Sequence, residues 1–78
     1  MDKISFTKID ESRNIKRFYI LYPVYDTLLD GVCAVVSEYG RIGKTRRTFI
    51  KLFSDRKSAV RYYNHCISKR LNHGYSKH

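Results

Sequence analysis

The chain has 78 residues, and sixteen Lys and Arg against seven Asp and Glu give it a formal net charge of +9. No stretch approaches the roughly 18 apolar residues that a membrane span needs, and residues 1–6 lack the basic and apolar runs of a signal peptide, so we expect no membrane partner. Cys33 and Cys66 are too few for a disulfide scaffold and lack metal-ligand spacing, which predicts two reduced thiols in the core.

Four strands are predicted in the first two thirds of the chain. Alternating residues over 4–9 indicate a short edge-type strand, and aromatic and β-branched residues over 17–24 indicate a second strand. The third covers 32–39. A glycine-containing turn over 40–44 leads into the fourth, over 46–53. The four predicted strands are separated by short polar or glycine-containing turns.

The sequence changes to a helical period after the fourth strand. Ser54 or Asp55 fits the N-cap position, and Gly74 fits the left-handed residue after the helix end, with Tyr75 folding back onto the last turn. The apolar residues that share one helical arc are Ala59, Val60, Tyr63, Cys66, Ile67 and Leu71. The predicted fold class is therefore α+β, a sheet of about four strands with one long C-terminal helix packed across it, and a single domain over 1–78.

Positive charge is concentrated in the second half of the chain. Residues 1–39 hold five basic and six acidic residues, whereas residues 40–78 hold eleven basic residues and one acid. The densest part, 41–51, holds five basic residues and no acid. An asymmetry of this kind is typical of a basic surface patch, and nucleic acid is the leading candidate partner.

Within this basic region, Tyr39-Gly40-Arg41-Ile42-Gly43 resembles the signature of the WGR domain family, named for its Trp-Gly-Arg triplet, with Tyr39 in place of the Trp. The resemblance extends over 14–75. It includes Asn14 with Arg17-Phe18-Tyr19, the strand 49–53, and the helix with its closing Gly74-Tyr75. It implies the same fold, a small antiparallel sheet with a helix packed across it, in a small stand-alone WGR protein.

The resemblance also implies a function. WGR domains of DNA-break-sensing poly(ADP-ribose) polymerases contact DNA near a strand break. Their Trp packs on the sugar of the terminal nucleotide, and their Arg helps to organise neighbouring domains. By position, Tyr39 becomes the stacking candidate and Arg41 the DNA- or partner-contacting residue. ADP-ribosyl transfer belongs to a different domain of those enzymes and is not implied here.

Combining the charge pattern with the resemblance, we expect a non-catalytic module that binds the backbone of duplex DNA, or DNA ends, through a basic loop and a strand-end tyrosine. The protein would be cytoplasmic, or nucleoid-associated if bacterial. No cofactor, metal site or catalytic residue is predicted, because the histidines and acids show no suitable spacing. The predicted nucleic-acid-binding residues are Tyr39, Gly40, Arg41, Lys44, Arg46, Arg47 and Lys51.

Two other functions stay open at this point. The basic face could dock an acidic partner protein, in which case the association would depend on salt but not on nucleic acid. Alternatively, Tyr19, Tyr22 and Tyr25 could form an exposed stacking row that binds single-stranded DNA or RNA. Alternating strand aromatics also serve as cross-strand packing, which is the competing interpretation of the same three residues.

Overall fold

A computed structural model describes residues 3–78; the domain predicted over 1–78 includes residues 1 and 2, which lie outside this part. The fold is α+β, as predicted. Its strands and helix are β1 (Ile4–Asp10), β2 (Ile15–Leu21), β3 (Tyr25–Asp26), β4 (Cys33–Arg41), β5 (Arg46–Phe53), α1 (Arg56–Asn72) and β6 (Ser76–Lys77), with a 3-10 turn over Glu11–Arg13.

All strand pairs in the described residues are antiparallel. Strand β4 lies between β5 on one edge and β2 with β3 on the other, and β1 and β6 follow beyond β2. The short strands β3 and β6 are additions to the four predicted strands. Strands β2 and β3 pair with successive parts of β4 and are separated by Pro23, which has no backbone N–H to donate.

The core lies between one face of the sheet and α1; we call this side the helix face and the opposite side the outer face. The buried residues on the helix face are Phe6, Tyr19, Leu21, Cys33 and Val35, and α1 contributes Ala59 and Cys66. The two cysteines are buried free thiols, as predicted. The outer face has no helix over it, because α1 is the only α-helix in residues 3–78.

The helix begins and ends as its sequence predicts. The Asp55 carboxylate accepts a hydrogen bond from the Ser58 backbone N–H at 2.7 Å, which lowers the pKa of Asp55 below its usual value. Gly74 has φ +85°, and the Tyr75 N–H bonds to the Arg70 carbonyl. Within the described part of the chain, no helix is long and apolar enough to cross a membrane.

Several predicted boundaries and core positions were wrong. Strand β2 ends at Leu21 rather than at residue 24, and β4 continues through Gly40 to Arg41, which were assigned to the turn. Val60 and Leu71, placed in the apolar arc, are exposed. A helix crossing one twisted sheet contacts it along a narrow stripe, so residues at the edge of the predicted apolar arc stay in solvent.

Candidate nucleic-acid interface

Tyr39 lies near the end of β4, which ends at Arg41. Its ring stacks on Tyr19, with the centroids 6.5 Å apart and the planes inclined by 24°. Tyr19 is only 4% exposed, whereas Tyr39 is 38% exposed. A buried tyrosine thus supports one side of the Tyr39 ring, and the ring still reaches solvent.

Beside Tyr39 is an open cleft of about 630 Å³ between the sheet and α1. Three arginines contribute to its lining, and none of the residues that line it is acidic. The lining residues are Arg17, Phe18, Tyr19, Ser37, Tyr39, Gly40, Arg41, Phe49, Tyr62, Arg70 and Tyr75. A concave surface with positive charge and several tyrosine rings is suited to a ligand that carries both phosphate and flat or apolar groups.

Arg41 is held by Asn14, which lies in the turn between β1 and β2. Its two terminal guanidinium nitrogens donate to the Asn14 backbone carbonyl at 3.0 Å and to the Asn14 side-chain oxygen at 2.9 Å. Asn14 has φ +54°, a left-handed conformation that Asn adopts more readily than most residues. Arg41 is also the cross-strand neighbour of Arg17, so two cations lie side by side at this edge of the cleft.

Gly40 is required by a close contact within the protein. A Cβ at this position would lie 2.9 Å from the Thr45 backbone oxygen and 3.4 Å from Cε1 of Phe18. Real Cβ atoms essentially never approach a heavy atom within 3.0 Å, so any larger residue would force β4 away from the chain that enters β5. The glycine therefore fixes the distance between β4 and the start of β5. The predicted basic loop is mostly strand, because Arg41 belongs to β4 and Arg46, Arg47 and Lys51 belong to β5, which leaves Lys44 alone in the loop.

The neighbouring residues Arg46 and Arg47 point to opposite faces of the sheet. Arg47 is paired with Tyr39 in the β4–β5 ladder and shares the helix face with it, whereas Arg46 is paired with Gly40 and lies on the outer face. The Arg46 guanidinium donates to Glu38 at 3.1 Å and lies 5.5 Å from the centre of the Phe18 ring. Arg46 is thus engaged in an ion pair on the face away from Tyr39.

Glu38 is the centre of this outer-face network. Its carboxylate also accepts a hydrogen bond from the Tyr22 hydroxyl. This hydrogen bond, and then the one from Arg46, hold the pKa of Glu38 below its usual value. The same contact raises the pKa of Tyr22. Tyr22 is therefore fixed on the outer face while Tyr19 is buried on the helix face, so an exposed row of Tyr19, Tyr22 and Tyr25 does not form.

The other two predicted cations differ in position. Lys44 is exposed in the loop between β4 and β5, where its backbone N–H bonds to the Arg41 carbonyl. Lys51 is on the helix face further along β5, with its ammonium nitrogen 4.8 Å from the centre of the Tyr62 ring. Neither residue lines the cleft. The structure thus places Tyr39, Gly40 and Arg41 in the cleft and Arg47 and Lys51 on the same face outside it, whereas Lys44 lines a second pocket together with Ile20 and Arg46 of the outer face.

The sequence matches the family model described as the WGR domain over residues 2–78, essentially its whole length. The chain belongs to the WGR domain family. This is a family of binding modules of the nucleic-acid-binding type. Among curated proteins and solved structures, no significant match was found. In this WGR domain the triplet Tyr39-Gly40-Arg41 forms the end of β4 and contributes all three of its residues to the cleft.

Two arginines of the WGR cleft are missing from the set predicted from the sequence. Arg17 was visible as a strand residue two positions before Tyr19, which gives it the same face. Arg70 was visible as a cation inside an apolar helical arc. Its guanidinium lies 4.1 Å from the centre of the Tyr19 ring, and its Nε atom is buried without a hydrogen-bond partner among residues 3–78. Arg70 itself is half-buried, so its guanidinium adds positive charge to the cleft.

Proposed function

We propose that this WGR domain is a non-catalytic module that binds duplex DNA, with its cleft at the end of a DNA strand and the basic residues around the β4–β5 turn along the adjoining backbone. Tyr39 packs on the terminal sugar or base, and Arg41, with Arg17 and Arg70, binds phosphate. The observation that carries the proposal is the composition of one cleft. It contains an exposed tyrosine stacked on Tyr19 together with three arginines, and none of its lining residues is acidic.

The surrounding cations extend this surface in the proposal. Arg47 contacts the phosphates that follow the end, and Lys51 lies further along the same face. Lys44 follows Arg41 in the turn and reaches the backbone through its flexible side chain. Gly40 shapes the loop and makes no contact through a side chain. If four phosphate contacts form, the affinity falls by about 100-fold between about 50 and about 200 mM salt, because each contact releases a condensed counterion.

The test is the binding of one short duplex with free ends, compared with the same duplex closed by hairpin loops at both ends. Fluorescence anisotropy is measured at about 50 and about 200 mM salt. Preference for free ends is expected. Tyr39→Ala should remove most of that preference, because stacking on one base contributes about 1–3 kcal/mol. Absence of binding to both duplexes at the lower salt would refute the proposal.

Arg46 and Arg47 provide a matched pair of variants with equal charge change. Arg47→Gln is expected to reduce the slope of log affinity against log salt by about 0.9, the value for one lost phosphate contact on duplex DNA. Arg46→Gln is expected to leave this slope nearly unchanged, because Arg46 is paired with Glu38 on the outer face. Equal effects of both substitutions would indicate general electrostatic attraction instead of the cleft-centred surface.

A further inference from the structure

Among the described residues, β5 is an edge strand of the sheet, with no strand paired to the side away from β4. Among residues 3–78, β5 pairs with β4 alone, over the eight consecutive positions from Arg46 to Phe53. The ladder has no bulge, and the strand contains no proline. Every second residue of β5 therefore directs its backbone N–H and C=O away from the sheet, where an added strand can pair with them.

The side chains along this edge include large apolar groups. Phe49 is 45% exposed on the helix face, and Ile50 and Leu52 are 57% and 58% exposed on the outer face. A strand that only terminates a sheet is normally short or polar, because an exposed apolar edge promotes association. We propose that β5 binds an extended segment of a partner protein by adding it to the sheet as a further strand.

The charges on β5 define the chemistry of that segment. On the helix face, neither Arg47 nor Lys51 has an ion pair among residues 3–78, and the Lys51 ammonium lies over the rings of Phe53 and Tyr62. No acid occurs between Tyr39 and Ser54. In a paired strand, opposite residues lie about 4.5–5.5 Å apart on the same face, so acidic residues fit opposite Arg47 and Lys51. Apolar residues on the other face of the segment fit opposite Ile50 and Leu52. The partner is a segment in which acidic and apolar residues alternate.

The same charges disfavour a second copy of this chain as the partner. In a symmetric antiparallel pair centred on Phe49, each Arg47 lies directly opposite the Lys51 of the other copy. Like charges in opposed positions destabilise a strand pair, and β5 has no acid to compensate them. Basic side chains on this edge strand thus disfavour self-pairing in the Phe49-centred register, while they favour an acidic segment.

This inference goes beyond the proposed DNA binding and is tested without DNA. The probe is a labelled peptide of about ten residues in which Glu and Val alternate, flanked by Gly-Ser and used where it is monomeric. The control peptide has the same composition with all Glu residues in one half. Stronger binding of the alternating peptide is expected, by about tenfold, because only that pattern satisfies both faces. Equal binding would overturn the proposal.

Amide hydrogen exchange measured by NMR gives the second readout. Binding is expected to slow exchange at alternate amides within Arg46–Phe53, since these N–H groups become bonded to the added strand. A peptide attracted only by charge would leave the exchange of these amides unchanged, and that result would also overturn the proposal, whatever the outcome of the DNA experiments.

Reversing the charges on both the protein and the peptide completes the test. The variant R47E/K51E is expected to lose about tenfold in affinity for the Glu–Val peptide and to bind a Lys–Val peptide instead. The variant K57E/R61E, with the same change in net charge on the exposed surface of α1, should retain the original preference. Loss of binding in both variants, or no gain for the Lys–Val peptide, would refute the strand-pairing geometry.

Discussion

The hydrogen bonds between Arg41 and Asn14 lead to a quantitative prediction about the cleft. Asn14→Gly removes the side-chain oxygen that accepts at 2.9 Å but keeps the backbone carbonyl that accepts at 3.0 Å. Glycine also adopts the left-handed backbone conformation of this position without steric cost. Arg41→Ala removes both hydrogen bonds. The coupling energy between the two substitutions therefore isolates a single hydrogen bond.

The expected coupling energy is about 1 kcal/mol. Hydrogen bonds to charged donors contribute about 1.5–3 kcal/mol in mutational series, and this one is reduced because both partners are exposed to water. The effect of glycine on the unfolded chain occurs in both arms of the cycle and cancels. Asn14→Ala should lower the free energy of unfolding by about 1 kcal/mol more than Asn14→Gly, because alanine is sterically strained in the left-handed conformation.

Urea unfolding of the four proteins in the cycle, the starting chain, both single variants and the double variant, measures this coupling. In a domain of this size, 1 kcal/mol corresponds to a change in Tm of about 4–8 °C, so thermal unfolding provides an independent check. If the two single effects add to the double effect within about 0.3 kcal/mol, the hydrogen bond contributes nothing and Asn14 does not hold Arg41 in place. Asn14→Gly should then also leave DNA affinity unchanged.

Three further predictions concern the remaining parts of the site. Gly40→Ala should destabilise the fold by about 1–3 kcal/mol in urea unfolding, because its Cβ would lie 2.9 Å from the Thr45 carbonyl oxygen; a cost below about 0.5 kcal/mol would contradict this. Because the folded-state pKa of Glu38 is below 4.5, its contribution to stability should be complete above that pH and lost as the pH falls through the folded-state pKa. Arg46→Gln should weaken the decrease of the urea midpoint at acidic pH. If the urea midpoint of this variant decreases with pH as steeply as that of the starting chain, the ion pair does not contribute. Arg70→Leu should change the free energy of unfolding by less than about 1 kcal/mol, because the lost contact with a tyrosine ring is offset by removal of a buried unpaired nitrogen, while it lowers DNA affinity.

Local sequence was sufficient to predict the elements that depend on local chemistry. The bounds of β5, a helix cap at Ser54 or Asp55 and the left-handed Gly74 follow from residue period, a capping oxygen and the absence of a Cβ; the structure selects Asp55 as the cap. The predicted end of β4 was wrong, because the continuation of the strand through Gly40 depends on its pairing with both β2 and β5. A turn prediction that considers only the glycines does not include this pairing.

The composition of the cleft depends on contacts between distant parts of the chain. Arg41 bonds to a residue 27 positions earlier, and Arg70 approaches Tyr19 from the far end of α1. Neither spacing follows a helical or strand period, so no pattern in the sequence connects these residues. The resemblance to the WGR family identified the triplet, but the supporting residues become visible only when the sheet and helix are brought together.

Alternation along β5 divides the basic residues between two kinds of interaction. A charge count over 41–51 treats five cations as one patch, yet consecutive strand residues face opposite sides of the sheet. Arg46 neutralises Glu38 on the outer face, while Arg47 and Lys51 remain on the side of Tyr39. An edge strand with two available cations on one face can therefore contact DNA phosphates or an acidic segment, but both ligands would require the same side chains. Binding of an acidic segment to β5 is accordingly expected to compete with DNA. Adding the alternating Glu–Val peptide should release DNA from this chain, and the control peptide with all its Glu residues in one half should release less.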